Sequence, residues 1–195
     1  IGLIINIGFL LYFKYTNFFI ENFNIIFNKN ISYLNIVLPL GISFFTFQNI
    51  SYLIDVYRGD TEPQKNFFNY ATYITLFPQL VAGPIVRYKD INNELINRKE
   101  TISMFASGIK EFIIGLGKKV LIADTLYTMC TVLLKTNMSS ITYIVVAIGY
   151  TLQIYYDFSG YSNMAIGLGK MFGFNFKENF NYPLISSSIT EFWRR

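Results

Sequence analysis

The sequence predicts an all-α fold, a bundle of membrane helices in which re-entrant or broken helices surround a central tunnel. Of the 195 residues, 52% are hydrophobic and only 14% are charged, whereas soluble domains have about 25% charged residues. Several charge-free stretches are also long enough to cross about 30 Å of hydrocarbon as helix. We expect residues 1–195 to form one transmembrane domain that is truncated at both ends, a fragment of a longer protein.

Four stretches are predicted to span the membrane. Residues 30–54, 66–86 and 136–156 contain no charged side chain, and residues 1–20 contain only Lys14. A lysine near the interface can lay its stem in lipid while its ammonium reaches the headgroups. These four stretches are the membrane-spanning helices that we expect.

The remaining apolar regions are interrupted and predict shorter elements. Five charges within residues 101–134 favour two helices, at about 102–117 and 120–135. The glycine-rich residues 158–176 and the polar, aromatic residues 179–195 are expected to be half-buried or re-entrant, because irregular backbone persists at membrane depth only beside protein or a water-filled cavity. The five charges are Lys110, Glu111, Lys118, Lys119 and Asp124.

Composition also limits the partners and the chemistry. A net charge of +4 suits contact with anionic membrane lipid and predicts no nucleic-acid partner. With no histidine and one cysteine, these residues hold neither a usual transition-metal site nor a Ser-His-Asp or Cys-His arrangement. The densest basic loop is expected in the cytoplasm or as an amphipathic helix on the membrane surface; it contains Arg87, Lys89, Arg98 and Lys99.

Glycines close to lysines occur twice, and we interpret both groups as helix-packing motifs. Neither Gly115–Lys119 nor Gly167–Gly173 follows a predicted strand, and neither has the Ser or Thr after lysine that a phosphate-binding P-loop requires. Gly169 and Gly173 are spaced as a GxxxG pair, which lets a neighbouring helix approach closely in a bilayer.

The first polar stretch inside a predicted span is residues 39–59. It contains Gln48, a candidate tunnel residue, among other hydroxyl and amide side chains. The alternative is that these groups only hold helices together through hydrogen bonds, with Asp55 and Arg58 pairing at the membrane surface at a spacing of three residues.

The second stretch, residues 77–88, predicts a broken helix. Pro78 and Pro84 each remove a backbone donor, and Pro84 follows a glycine. We expect Gln79 and Arg87 at a substrate path, because an arginine after such a break can bind a carboxylate or phosphate through two hydrogen bonds. The alternative is that Arg87 only anchors a helix end at the interface.

The third stretch, residues 155–195, contains Asp157 at the end of a predicted span. An ionisable group there needs a partner, and we expect that partner to be one of the cations that follow in the sequence. The alternative is that Asp157 caps the next helix. The candidate partners are Lys170, Lys177, Arg194 and Arg195.

Four sequence blocks, read in order, resemble the signature blocks of the membrane-bound O-acyltransferase family, specifically of its alginate O-acetyltransferase branch. The resemblance covers residues 35–195. The blocks are PLGISFFTFQNISYLIDVYRG, FPQLVAGPIVRY, YYDFSGYSNMAIGLGKMFGF and ENFNYPLISSSITEFWRR.

The resemblance implies an O-acetyltransferase in the bacterial cytoplasmic membrane, with several spans and no bound cofactor. An acyl thioester, acetyl-CoA or another, would reach a catalytic histidine from the cytoplasm. A polysaccharide hydroxyl would reach it from the outer side, through a partner acetyltransferase protein in some members. In the family the last block continues with Trp-His, which places the histidine two positions after Arg195 and leaves residues 1–195 inactive alone.

The resemblance also assigns expected positions to polar side chains. Asp157, Tyr161 and Asn163 would line the tunnel wall, and Asn179, Asn181 and Tyr182 would supply hydrogen bonds. Arg194 and Arg195 would lie near the donor.

Three alternative functions stay open at this point. The D-alanyl transfer protein of teichoic acid modification belongs to the same family, although the residues Gln79-Leu80-Val81-Ala82 favour the polysaccharide branch. A transporter or flippase also uses broken helices, but no inverted repeat is visible. An inactive gene product is the third alternative.

Overall fold

The computed structural model describes residues 1–79, 83–84, 86–135 and 139–195. Within these ranges every regular element is helical and no strand occurs, which confirms the all-α prediction. The α-helices are α1 (Gly2–Leu10), α2 (Thr16–Phe27), α3 (Ile42–Tyr57), α4 (Phe67–Thr75), α5 (Tyr88–Asn97), α6 (Ile102–Gly117), α7 (Asp124–Leu133), α8 (Ser140–Met171) and α9 (Ile189–Arg194).

The chain divides into two compact units. The first contains the described residues within 1–81 and 87–89, and the second contains those within 82–86 and 90–195. The expectation of a single domain stays a prediction.

In the first unit, α1 and α2 form one continuous helix, Gly2–Phe27, through the π-helical turn Leu11–Tyr15. Of the helices in the described ranges, Gly2–Phe27 alone is both long enough and apolar enough to cross a bilayer. The predicted first span therefore corresponds to a helix of sufficient length, and it extends past residue 20.

Residues 30–39 are not helical, so the expectation of a continuous helix over 30–54 is wrong in its first half. Two asparagines of α2 hold the extended chain instead. The Asn17 side chain accepts from the Leu34 N–H and donates to the Leu34 carbonyl, at 3.0 and 2.9 Å, and Asn24 binds Ile31 in the same way at 2.9 Å. These bonds satisfy backbone groups that a helix would otherwise satisfy internally.

The expected continuous span over 66–86 is also wrong, whereas the predicted break is confirmed in its described part. Helix α4 ends at Thr75, a 3₁₀ turn covers Phe77–Gln79, and helix resumes at Tyr88. Residues 80–82 and 85, on which the Leu-Val-Ala part of the branch argument falls, lie outside the described residues. Residues 136–138, at the start of the third predicted span, also lie outside them.

Tyrosines form the core of the first unit. The Tyr52 ring lies 4.9 Å from the rings of Tyr70 and Tyr88, and Tyr73 lies 5.2 Å from Tyr88. The Gln64 backbone N–H donates to the Tyr52 hydroxyl at 2.8 Å, and its side chain donates to the Tyr88 hydroxyl at 2.7 Å. These bonds tie the loop after α3 to the aromatic core.

The second unit is organised around two long helices. Helices α6 and α7 are joined without interruption by the π-helical segment Lys118–Ala123, so the predicted boundary near residue 118 is a change of helical winding and not a chain break. Helix α8 runs antiparallel to them. It continues to Met171, so residues 158–171 are regular helix and not re-entrant chain. About half of these residues are buried, which agrees with the half-buried alternative.

Four glycines bring α6 and α8 together. A Cβ on Gly115 would lie 2.5 Å from the Gly160 carbonyl oxygen, and a Cβ on Gly108 would lie 2.6 Å from the Gly167 oxygen. Both helices thus have glycines seven residues apart, which places them on one face. The backbones approach more closely than any side chain would allow, so helix packing is the role of Gly115 as predicted.

The GxxxG pairing expected for Gly169 and Gly173 does not occur between helices. Gly173 has φ +81° and terminates α8, and the Phe174 N–H donates to the Gly169 carbonyl at 2.9 Å, as in a Schellman ending. Gly173 therefore terminates the helix, since few other residues adopt this φ without strain.

The basic loop contains helix α5, in agreement with the amphipathic-helix alternative. In the second unit, Ile91 and Leu95 are buried. Two carboxylates of α5 bind the chain after α8. Asp90 forms an ion pair with Lys177, and Glu94 accepts a hydrogen bond from the Asn175 N–H at 3.0 Å. These contacts place the segment after α8 against α5.

Candidate functional site

The second unit contains a cavity of about 460 Å³ between α8 and the chain that follows it. This volume lies within the range of about 300–1,000 Å³ that is usual for small-molecule sites. Helices α6 and α8 supply one wall, and residues 178–182 supply the other. The helix residues that line it are Glu111, Ile114, Lys118, Tyr155, Tyr156, Ser159, Ser162, Asn163 and Ile166.

A polar network crosses from α6 to α8 at this cavity. The Asn163 amide nitrogen donates to the Glu111 carboxylate, and its oxygen accepts from Lys118 Nζ at 2.7 Å. Lys170 Nζ lies 3.9 Å from the second oxygen of Glu111. Charges in an apolar bundle are stable only when they are paired or hydrogen-bonded, so Asn163 connects one ion pair to a second cation.

Asp157 forms an ion pair with Lys119, the second residue of the π-helical segment. None of the four predicted cations is its partner. The cap alternative is also wrong, because Asp157 lies in the middle of α8. A partner earlier in the chain was missed because only the antiparallel packing of two helices brings residues 38 positions apart into contact.

Two serines of the cavity wall have hydroxyls without a hydrogen-bond partner. Ser159 is 1% exposed and Ser162 is 2% exposed, and no described group accepts from or donates to either Oγ. Together with Asn163 they lie at spacings of three and four residues, which places all three on one face of α8. A buried hydroxyl without a partner costs about 1–3 kcal/mol, so these groups are available to bind something in the cavity.

The opposite wall is held by the end of the chain. The Asn181 N–H donates to the Arg195 carbonyl at 2.7 Å, and Arg195 Nη1 donates to the Asn181 carbonyl at 3.2 Å. Arg195 Nε also donates to the Glu191 carboxylate at 2.8 Å. Hydrogen bonds from the Ser187 N–H, the Arg195 guanidinium and the Ser187 hydroxyl lower the pKa of Glu191 to about 2. Helix α9 thus fixes the turn that carries Asn181.

The structure brings some of the predicted site residues together. Asn163, Asn179, Asn181 and Tyr182 line the cavity. Tyr182 adopts φ +48°, an uncommon conformation for a bulky residue that is frequent at functional sites. Arg195 is bonded to Asn181, as described above.

The other predicted residues lie elsewhere. In the second unit, Tyr161 is half-buried on α8 outside the cavity lining, and Arg194 is exposed. In the first unit, Arg87 is exposed, and the half-buried Gln48 and the 2%-exposed Gln79 each have a side-chain oxygen without a hydrogen bond. The Gln79 amide donates to the Tyr73 carbonyl.

The predicted pair of Asp55 and Arg58 does not form. Asp55 is 4% exposed with Oδ2 unpaired, while Arg58 is exposed. The spacing of three residues allowed the pair, but burial of one side chain and exposure of the other separates the two charges.

Sequence reasoning did not select Glu111, Lys118, Ser159 or Ser162 as site residues. A signal for two of them was present, because Glu111 and Lys118 interrupt an apolar stretch and are costly there unless they are paired. The serines gave no signal of their own, since a serine in an apolar helix is common.

The chain is similar to known proteins along its whole length. The family model described as "MBOAT, membrane-bound O-acyltransferase family" matches residues 63–195. The protein named "Probable alginate O-acetylase AlgI" of Pseudomonas aeruginosa is 47% identical over 202 residues, covering 100% of this chain and 38% of that protein.

Two further relatives are less similar. The peptidoglycan O-acetyltransferase of Helicobacter pylori is 38% identical, over 100% of this chain and 42% of its own length. The teichoic acid D-alanyltransferase of Bacillus subtilis is 29% identical, over 83% of this chain and 42% of its own length. The chain therefore spans about two fifths of these relatives, and it belongs to the membrane-bound O-acyltransferase family.

Proposed function

We propose that this chain is part of an enzyme that transfers an acetyl group from a cytoplasmic thioester to the hydroxyl of an extracytoplasmic polysaccharide. The proposal is supported by similarity over the whole chain to relatives named for O-acetylation. Similarity to the D-alanyltransferases is lower, which favours acetyl over D-alanyl transfer. Membership of an acyltransferase family also disfavours a transporter.

The observation that carries the proposal is the pair of hydrogen bonds between Arg195 and Asn181, one between their backbones and one from the Arg195 guanidinium to the Asn181 carbonyl. Asn181 lines the cavity, so these bonds hold Arg195 beside it. The resemblance places a histidine two positions after Arg195, and two residues extend at most about 7 Å. The histidine would then lie close to the cavity formed by Glu111, Lys118 and Asn163.

The chemistry needs a base because a sugar hydroxyl is a weak nucleophile. Neutral imidazole, with a pKa near 6.5, accepts the hydroxyl proton as the oxygen attacks the thioester carbonyl, which accelerates the reaction by about 10²- to 10⁴-fold. A C–O bond forms, the C–S bond breaks, and the imidazolium returns the proton to the leaving thiolate. The products are an acetyl ester and a free thiol.

We propose acetyl-CoA or another acyl thioester as donor, with no bound cofactor, and a polysaccharide acceptor that some relatives reach through a partner acetyltransferase protein. We also propose a multi-pass location in the bacterial cytoplasmic membrane. The helix Gly2–Phe27 and the match to a family of membrane enzymes support membrane insertion.

The test uses the full-length gene in cells that lack the native copy. Its codons after Arg195 are read first, and Trp-His is expected. Replacing that histidine with alanine should abolish polysaccharide acetylation, measured as acetate released by mild base, while the amount of protein in the membrane stays unchanged. Acetylation retained by the alanine variant would defeat the mechanism.

A further inference from the structure

Lys118 brings a positive charge to the cavity, and no carboxylate among the described residues pairs with it. Lys119 pairs with Asp157, and Lys170 lies near Glu111. Lys118 Nζ has only the neutral Asn163 oxygen, at 2.7 Å, and every ion pair found among the described residues uses another cation. An ammonium that is half removed from water favours an anionic partner.

Lys118 lines the cavity together with the two unpaired serines. Lys118 Nζ donates to Asn163, which lies four residues after Ser159 and therefore on the same face of α8. Lys118 is also the first residue of the π-helical segment, a type of irregularity that is frequent at functional sites.

We propose that Lys118, Ser159 and Ser162 form a binding site for an anionic oxygen group of a substrate. The ammonium supplies the charge, and each hydroxyl has a proton to donate to the same group. The site deepens the proposed function and rests on it for the identity of the ligand, which is either the carboxylate of a uronic-acid acceptor or a phosphate of the acyl donor.

The remaining charges around the cavity are consistent with this assignment. Glu111 is occupied by the Asn163 amide and by Lys170. Glu178 also lines the cavity but is exposed, so water screens its repulsion of an anion. Glu178→Gln is therefore expected to strengthen anion binding, by at most a few-fold.

The test measures ligand binding to the purified full-length protein by thermal shift, without turnover. Two matched pairs of probes differ only in the anionic group: glucuronate against glucose, and phosphopantetheine against pantetheine. One charged probe should bind more tightly than its neutral counterpart. Preference for glucuronate assigns the site to the acceptor, and preference for phosphopantetheine assigns it to the donor.

Lys118→Met should weaken binding of the preferred anion by about 10- to 100-fold, since hydrogen bonds to charged groups are among the stronger ones. Lys118→Arg should restore most of the binding. Lys110→Met is the control, because Lys110 is exposed on the same helix and should leave affinity unchanged. The neutral probe should bind equally to all three variants.

Ser159→Ala and Ser162→Ala keep the test valid if Lys118→Met fails to fold. Neither serine loses a hydrogen bond to any residue that the structure describes, so both variants should be as stable as the parent. Both should still bind the anion several-fold more weakly. Equal binding of charged and neutral probes by the parent would overturn the proposal. Equal loss of both probes in Lys118→Met would also overturn it. Absence of acetyl transfer by the parent protein would instead count against the proposed function, and the binding result would be unaffected.

Discussion

The close crossing of α6 and α8 predicts a large difference between two neighbouring glycine substitutions. Gly115→Ala places a methyl group 2.5 Å from the Gly160 carbonyl oxygen and 2.7 Å from the Met164 nitrogen. Ordinary contact begins at 3.4 Å, so the helices must separate by about 0.9 Å. Neither obstacle is a flexible side chain, since both atoms belong to the backbone of α8.

Gly117→Ala is the matched control. A Cβ there meets nothing within 4 Å, and Gly117 has helical φ and ψ of −61° and −44°. Both substitutions gain the same helix propensity, up to about 1 kcal/mol, so the difference between them isolates the clash. Overpacking of this kind costs about 1–3 kcal/mol.

The assay is thermal unfolding of the full-length protein in detergent. Gly115→Ala should melt several degrees below Gly117→Ala, by roughly 2–4 °C for each kcal/mol in a domain of this size. Because the Lys118–Asn163 bond lies one turn away, Gly115→Ala should also weaken anion binding. Equal melting temperatures for the two variants would refute the close approach of the α6 and α8 backbones at Gly115.

The remaining predictions concern one ion pair and two individual side chains. Asp157→Asn combined with Lys119→Met should lower the free energy of unfolding by less than the sum of the two single changes. We expect a coupling energy of about 1 kcal/mol or less, because both side chains are partly exposed. Additive effects in a double-mutant cycle would contradict the ion pair. Glu191→Gln should lower the melting temperature by a constant amount from about pH 5 to 8. The pKa of Glu191 in the folded protein, about 2, lies below the ordinary 4.5. The contribution of Glu191 to folding stability is therefore present above pH 4.5 and disappears as the pH falls toward 2. A difference in melting temperature that is the same at all pH values would argue against this contribution. Arg87→Ala should lower the acetylation rate more than the amount of protein in the membrane, and the reverse result would favour interfacial anchoring.

Helix type and several boundaries could be predicted because they depend on local sequence. The break after Thr75 follows from Pro78, which has no backbone donor. The change of helical winding near residue 118 lies where charges interrupt an apolar run, but the two separate helices predicted there are joined into one. The prediction was wrong for residues 30–39, because a stretch without charges is compatible with a membrane helix and also with extended chain. Two asparagines of α2 stabilise an extended chain there.

The candidate site was predictable only in part. Asn163, Asn179, Asn181 and Tyr182 were selected from polar residues in an apolar context and from the family resemblance, and the structure places them around one cavity. Glu111 and Lys118 were recognised as costly charges but were not connected to the site, because 45 residues separate Lys118 from Asn163.

The sequence by itself determined the class of this protein. Its hydrophobic composition, its charge-free stretches and four ordered blocks identify an α-helical member of the membrane-bound O-acyltransferase family, since composition and motif order do not depend on how the helices pack. Only the tertiary structure decided which charges are paired. Glycines seven residues apart on two antiparallel helices let the backbones touch. That contact gives Asp157 its partner Lys119, whereas no carboxylate in the described part of the chain pairs with Lys118.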